Sequence, residues 1–308
     1  MVADLALLKK FSIEGARAVI WVFKKSTAPG EPPTPVFTGR WIPSDAALGD
    51  ALMAAFNAAR NRIEEVFDYS ILEQNNEASV LRLESLETHA DSIIDSISDE
   101  LDVKKAKKTK ELQNAFFYVV KIINDNGAVY CFRKCDGSWS AKKSGGFLFA
   151  TYKDEMLSLE VEPKFNISKN FDFFVIEGTI FAENKSAFES ILSYKQGHVD
   201  DFSSLRDEPE FSAIFSGFEP ITEYVGNNAM QLRRMSAIKQ KGHYKNPDFL
   251  VSLKMNYVAY GLRLEYDNNG KIVPTVETCP DIFQALLDHR LKSHHQTLYD
   301  VQSAIAII

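Results

Sequence analysis

The period of apolar positions changes along the chain and predicts its elements. Residues 17–23 (RAVIWVF) form a β-branched and aromatic run, which predicts a strand, with a second short strand near 36–42. Between them, residues 26–35 (STAPGEPPTP) carry four prolines; these fix φ and remove donors, so a long irregular loop is expected. Ser44 is placed as an N-cap with Asp45 in the first turn, opening an Ala-rich helix to about Ile63. Residues 80–86 predict a strand and 87–102 an acidic helix.

A β-rich block follows. AFFYVVKII and AVYCFRK flank NDNG, whose Asn126-Gly127 suits a type I′ hairpin turn. Further strands are expected at 147–152, 157–161, 171–177 and 179–182. Residues 171–176 are apolar on both faces, which predicts burial on both. Helical spacing then takes over. Asn184 or Ser186 opens a helix to about Tyr194, and others are expected at 199–205, 209–215, 228–241 and 247–256. VAYGLRLEY, DNNG and KIVPTV predict a closing hairpin, followed by a helix from Pro280 to about Lys292. The fold class read from this order is α+β: an N-terminal α/β portion, then a mixed sheet with a C-terminal group of helices and a terminal hairpin.

Charge refines the division. KKAKKTK, residues 104–110, puts five lysines in seven positions directly after the acidic helix. That sign change is the expected domain boundary, giving 1–110 and 111–308. The 308 residues are 45% hydrophobic and carry a formal net charge of -7, which predicts a soluble globular protein with a substantial core. An acidic chain does not coat nucleic acid over its whole surface, but a local basic groove remains open to it, because screening acts over only about 8 Å at physiological salt. Three cysteines, Cys131, Cys135 and Cys279, offer no disulfide framework and fit a reducing cytosol. No signal peptide is legible at the start, and no apolar stretch approaches the roughly 20 residues of a membrane helix. Any membrane connection is therefore expected through a partner.

Within the acidic chain, MQLRRMSAIKQKGHYKN (residues 230–246) gathers Arg233, Arg234, Lys239, Lys241 and Lys245 with His243, and no acid lies between Glu223 and Asp248. At helical spacing, Leu232, Met235 and Ile238 make one stripe; Arg233, Arg234, Gln240 and Lys241 lie opposite, and Gly242 is placed to end the helix. Such a face holds phosphates, or else it is a solvated face whose charges pair with acids elsewhere. Lys104, Lys105, Lys107 and Lys108 are a second candidate patch, or a solvated linker. Asp172, Glu183 and Lys185 follow the spacing of a metal-dependent nuclease, two carboxylates for Mg²⁺ and a lysine for the phosphate. Alternatively, Glu183 and Asn184 open a helix. Cys131 and Cys135 lack the further ligands of a zinc site and read as packing residues. His289, His294 and His295 match no ligand spacing, and KKSGG (142–146) reads as a turn. No nucleophile elbow, triad or phosphate-binding glycine loop is present, so no catalytic residue, metal or cofactor is assigned.

FFVIEGTIFAENKSAFESIL (173–192), LRRMSAIKQKGHYKNPDF (232–249) and LEYDNNGKIVPT (264–275) resemble the KwaB family, the soluble subunits of the Kiwa anti-phage defence system of bacteria. FQALLDHRLKSHHQTLYDV (283–301) fits the end of the same domain, and the likeness runs from about residue 116 to the C-terminus. The resemblance implies a homodimeric DNA-binding effector. It would be cytoplasmic and recruited to the inner membrane by the multi-span subunit KwaA, without insertion of its own. It implies no catalytic residues. The function expected is non-specific binding of double-stranded DNA that blocks phage replication or transcription. The alternatives are a metal-dependent nuclease and a protein-interaction module without DNA contact.

Overall fold

A computed structural model describes residues 2–30, 34–72, 75–83, 88–97, 100–135, 150–153, 156–159, 165–293 and 295–301. The 142–146 turn and His294 lie outside them. The chain forms two compact units, residues 1–68 with 75–192, and residues 69–74 with 193–308. The boundary expected at 110/111 falls inside the first unit.

The first unit contains α1 (Val2–Lys10), β1 (Arg17–Ala28), β2 (Thr34–Pro43), α2 (Ala46–Arg62), β3 (Glu65–Asp68), β4 (Ser79–Leu83), α3 (Thr88–Ile97) and α4 (Thr109–Leu112). It continues with β5 (Phe117–Asn124), β6 (Gly127–Lys134), β7 (Ala150–Lys153), β8 (Met156–Leu159), β9 (Phe173–Ile176), β10 (Thr179–Ala182) and α5 (Lys185–Ile191). Eight strands form one sheet in the order β2-β1-β5-β6-β9-β10-β4-β3, antiparallel throughout except for β3 with β4. β1 thus pairs directly with β5, with Phe23 opposite Phe117, across the lysine-rich segment. The sheet is therefore not divided at the change of charge.

Alternation decides the two faces. Ile20, Val22, Tyr118, Val120, Cys131 and Phe174 pack with Leu8 of α1 and Leu52 and Phe56 of α2. On the other face Phe23 stacks on Phe117 at 4.8 Å, and Phe132 on Phe173 at 4.2 Å. Phe188 of α5 meets Phe173 edge-on at 5.2 Å. Phe173, Phe174, Val175 and Ile176 are all buried, as continuous apolarity requires of a central strand.

The proline-rich loop is shorter than expected. β1 runs on to Ala28, and β2 already contains Pro35, paired with Thr27. β2 is an edge strand, and an edge tolerates a residue without an N–H. In the β5–β6 hairpin Asn124 pairs with Gly127, so the turn residues are Asp125 and Asn126, and neither has positive φ. The type I′ turn expected there is absent: Asn124 Oδ1 accepts the Asn126 N–H at 2.8 Å and sets a different turn. Positive φ at both turn positions occurs instead between β9 and β10, at Glu177 (46°) and Gly178 (79°).

The second unit holds α6 (Tyr194–Asp207), α7 (Pro209–Ser212), α8 (Glu219–Val225), α9 (Ala229–Lys241), α10 (Pro247–Asn256), α11 (Cys279–Leu286), β11 (Arg290–Lys292) and β12 (Leu298–Asp300). Leu205, Phe211, Ile221, Leu232, Met235, Ile238, Ile282 and Phe283 share its core. The DNNG turn forms, with Asp267 N–H bonded to the Lys271 carbonyl at 2.8 Å. Its flanks meet in a single bridge, Tyr266 with Ile272; the regular two-stranded ladder lies further on, β11 with β12. The architecture is α+β, as the order of patterns predicts.

Candidate nucleic-acid interface

Helix α9 is built as its sequence dictates. Asn228 Oδ1 accepts the Met230 N–H at 3.0 Å, and Gly242 closes the helix at φ 64°, a conformation without penalty for glycine. Leu232, Met235 and Ile238 are buried, which turns the charged side outwards. α6 packs alongside, with His198 Nδ1 and Ser236 Oγ 2.9 Å apart in the buried seam.

The cations of this side are largely engaged. Lys239 donates to Asp201 Oδ1 at 2.8 Å. Lys245 lies 2.6 Å from Glu208 Oε1, while Tyr244 donates its hydroxyl to Glu208 Oε2 at 2.7 Å. The hydrogen bonds from Lys245, then Tyr244, hold the Glu208 carboxyl below the usual carboxylate range. Lys241 donates to the Leu287 carbonyl at 2.7 Å, an acceptor left over at the end of α11. Burial pushes the Lys241 ammonium below its ordinary value, and Asp288 opposes that. Burial and the charge of Lys241 likewise lower the His243 imidazole, which stacks on Phe249 at 4.9 Å. Arg234 reaches Gln231 Oε1 at 3.5 Å, and Arg233 is half-buried. Of the five cations, Arg234, Lys239, Lys241 and Lys245 are tied to acceptors inside the unit.

The lysine run in the first unit is held differently. Lys104 donates to the Ser96 carbonyl at 3.0 Å and lies 6.0 Å from the Trp21 ring centroid. The next residues lie along the free edge of β2: Ala106 N–H bonds the Trp41 carbonyl at 2.9 Å, and Lys105 stands 5.2 Å over the Trp41 ring. Two residues that sequence reading passes over fix this segment. Arg40 donates to the Val103 carbonyl at 2.7 Å and Trp41 Nε1 to the Leu101 carbonyl at 2.8 Å. Their only signal was an arginine and an aromatic on a short strand beside prolines. Lys107 pairs with Asp102 at 3.0 Å, with both side chains mostly in water, a contact that adds little to stability. Lys108 is exposed. Glu111 accepts the backbone N–H groups of Lys107 and Lys108 at 2.6 and 3.1 Å, which fixes the turn and lowers the Glu111 carboxyl.

Asp172 and Glu183 come together at neighbouring strand ends, but both oxygens of Asp172 and Oε1 of Glu183 are committed. Asp172 Oδ1 accepts from Arg133 at 2.9 Å and Asn184 at 3.1 Å; Oδ2 accepts the Lys134 N–H at 2.6 Å. Burial nevertheless raises its carboxyl above the usual range. Arg62 bonds Glu183 Oε1 at 2.9 Å, and burial raises that carboxyl too. Lys185 lies 3.9 Å from Glu189. Asn184, not Glu183, caps α5, accepting the Ala187 N–H at 3.1 Å. Among the described residues no group of three or more His, Cys, Asp or Glu is placed to hold a metal ion. Cys131 and Cys279 are buried, and Cys135 is half-buried. Among the described residues no helix is long and apolar enough to cross a membrane.

No curated protein and no solved structure matches the chain. The family described as Kiwa protein KwaB-like matches residues 112–295, well over half of the 308, running from β5 of the sheet through α9 to β11. The chain therefore belongs to the Kiwa protein KwaB-like family, and its role lies in Kiwa anti-phage defence.

Proposed function

We propose that this protein acts in defence by binding double-stranded DNA through its phosphates, without reading base sequence, and so obstructs phage replication or transcription. The observation that carries the reading is the segment from Lys104 to Lys108. Its backbone is fixed along the edge of β2 by Ala106 and by Arg40 and Trp41, so its cations are carried on a held segment rather than on a loose linker. Lys105 and Lys108 supply sequence-independent charge there, Lys107 adds its own on leaving Asp102, and Lys104 is an anchor. The α9 side adds Arg233 and Arg234; Lys239, Lys241 and Lys245 reach phosphate only by leaving Asp201, the Leu287 carbonyl and Glu208.

The protein works as a homodimer in the cytoplasm and reaches the inner membrane through KwaA. Exposed apolar residues on α10, Val251 and Met255, and Val258 in the 3-10 turn that follows it (Tyr257–Tyr260), support self-association. The committed oxygens of Asp172 weigh against a nuclease. Gel shift and cleavage are measured on one duplex, with and without Mg²⁺ and Mn²⁺. Retardation without cleavage, abolished on reversing Lys105, Lys107 and Lys108 to Glu, is expected. Cleavage abolished by Glu183→Ala would replace this reading with the nuclease.

A further inference from the structure

Three adjacent strands bring two more lysines to one aromatic ring. Phe117 of β5 pairs with Phe23 of β1 on one side and with Lys134 of β6 on the other. The ladder continues one step beyond: Phe116 N–H bonds the Phe23 carbonyl at 2.8 Å, and Cys135 N–H bonds the Phe116 carbonyl at 2.9 Å. Lys25, Phe116 and Lys134 therefore stand at the same end of the sheet. Lys25 Nζ lies 4.9 Å from the Phe116 ring centroid and Lys134 Nζ 6.0 Å from it. Lys25 also donates to the Ser190 carbonyl at 3.4 Å, near the end of α5. Among the described residues neither ammonium has a carboxylate partner. Of the buried acids, Asp172 is held by Arg133 and by the backbone of Lys134, and Glu189, beside Ser190, lies 3.9 Å from Lys185. Burial, and then the charge of Lys134, push the Lys25 ammonium below its ordinary value. Packing has placed two like charges together without a counter-ion among the described residues.

We infer that Lys25 and Lys134, over Phe116, form a binding site for a phosphate group. A phosphate offers enough anionic oxygens and charge to meet two point-like ammonium donors at once, whereas a single carboxylate carries one charge on two oxygens. The phosphate can belong to a nucleic-acid backbone or to a free polyphosphate. Only the first source rests on the DNA-binding reading above.

The test uses the full chain and two variants, Lys25→Gln/Lys134→Gln and Lys25→Arg/Lys134→Arg. Tripolyphosphate binding is measured by calorimetry, and binding of a labelled duplex by fluorescence anisotropy across a salt series. The glutamine pair is expected to weaken tripolyphosphate at least about tenfold and to reduce the duplex log–log salt slope by about 0.9 for each phosphate no longer neutralised. The arginine pair should retain both. Circular dichroism and a thermal melt establish folding. If the double variant does not fold, Lys134→Gln alone serves, since among the described residues its ammonium meets only the ring. An unchanged slope together with unchanged, or absent, tripolyphosphate binding overturns the site. A wild-type protein that binds tripolyphosphate but no duplex keeps the site and removes the DNA reading.

Discussion

Lys245 Nζ lies 2.6 Å from Glu208 Oε1, and the other oxygen of that carboxylate accepts the Tyr244 hydroxyl at 2.7 Å. A phosphate arriving at Lys245 competes with this carboxylate, as one arriving at Lys239 competes with Asp201. Removing the competitors should expose the α9 side. Glu208→Gln with Asp201→Asn is expected to tighten duplex binding and to steepen the salt slope by up to about 0.9 for each lysine released. Anisotropy across a salt series reads both; unchanged affinity and slope would show that α9 is not a DNA surface.

Charge reversal on α9 should separate into two classes. Arg233→Glu and Arg234→Glu alter half-buried but outward cations, and the fold should tolerate them. Lys241→Glu instead sets a carboxylate against the Leu287 carbonyl that Lys241 now serves. It should lower stability by about 1 kcal/mol, the order of one charge-assisted hydrogen bond after solvent discounting. Urea unfolding of the three single variants would measure this, and equal midpoints would refute it.

Much of α9 was legible: Asn228 before the apolar stripe, Gly242 after it, and a charged side opposite Leu232, Met235 and Ile238 follow from spacing alone. What that side touches did not follow. Asp201 and Glu208 lie 38 and 37 positions from Lys239 and Lys245, and only the packing of α6 against α9, and of α7 against the turn that follows it, brings them near. The same distance effect hid the site at Phe116, because the pairing of β1 with β5 crosses the segment whose charge suggested a boundary. The proline-rich stretch misled for a local reason: proline excludes a central strand but not an edge, and edge position is a property of the whole sheet.

Acid should loosen the first unit through Glu100. Arg17 donates to its two oxygens at 2.8 and 3.0 Å, and the buried Lys121 lies 3.6 Å away. Burial alone would raise this carboxyl, but the hydrogen bond and charge of Arg17, then Lys121, bring it below the ordinary 4.5. A depressed carboxyl contributes stability that is complete above the unfolded value and disappears as pH falls through the folded one. Wild-type Tm should therefore fall from about pH 4.5 downwards more steeply than that of Glu100→Gln. At pH 7 the variant should be less stable by about 2 kcal/mol, because Lys121 stays buried without its carboxylate. Parallel pH dependences of the two melts would contradict the assignment.

Asp172 should behave as a structural acid. Its carboxylate accepts three hydrogen bonds, two at Oδ1 and one at Oδ2. Asp172→Ala should cost about 3 kcal/mol by stranding Arg133 and the Lys134 N–H. Glu183→Gln should cost less, since Arg62 is partly exposed. Neither Mg²⁺ nor Mn²⁺ at millimolar concentration should raise the wild-type Tm. A metal-dependent rise abolished by Glu183→Gln would restore the nuclease reading.

Self-association should depend on α10. Val251 and Met255 lie four residues apart on α10, Val258 follows in the 3-10 turn Tyr257–Tyr260, and the three are 53%, 78% and 72% exposed. No residue of α10 is buried. In a two-fold dimer the same stripe faces itself, so one charge introduced per chain appears twice in the interface. Met255→Glu/Val258→Glu should shift the protein from dimer to monomer in light scattering, with an unchanged circular dichroism spectrum. Duplex affinity should fall at least about tenfold once each molecule holds the duplex through one set of cations instead of two, while the slope per bound monomer stays the same. A wild-type protein that is monomeric at tens of micromolar, or a dimer untouched by both charges, would place the self-association surface elsewhere and leave α10 to another partner.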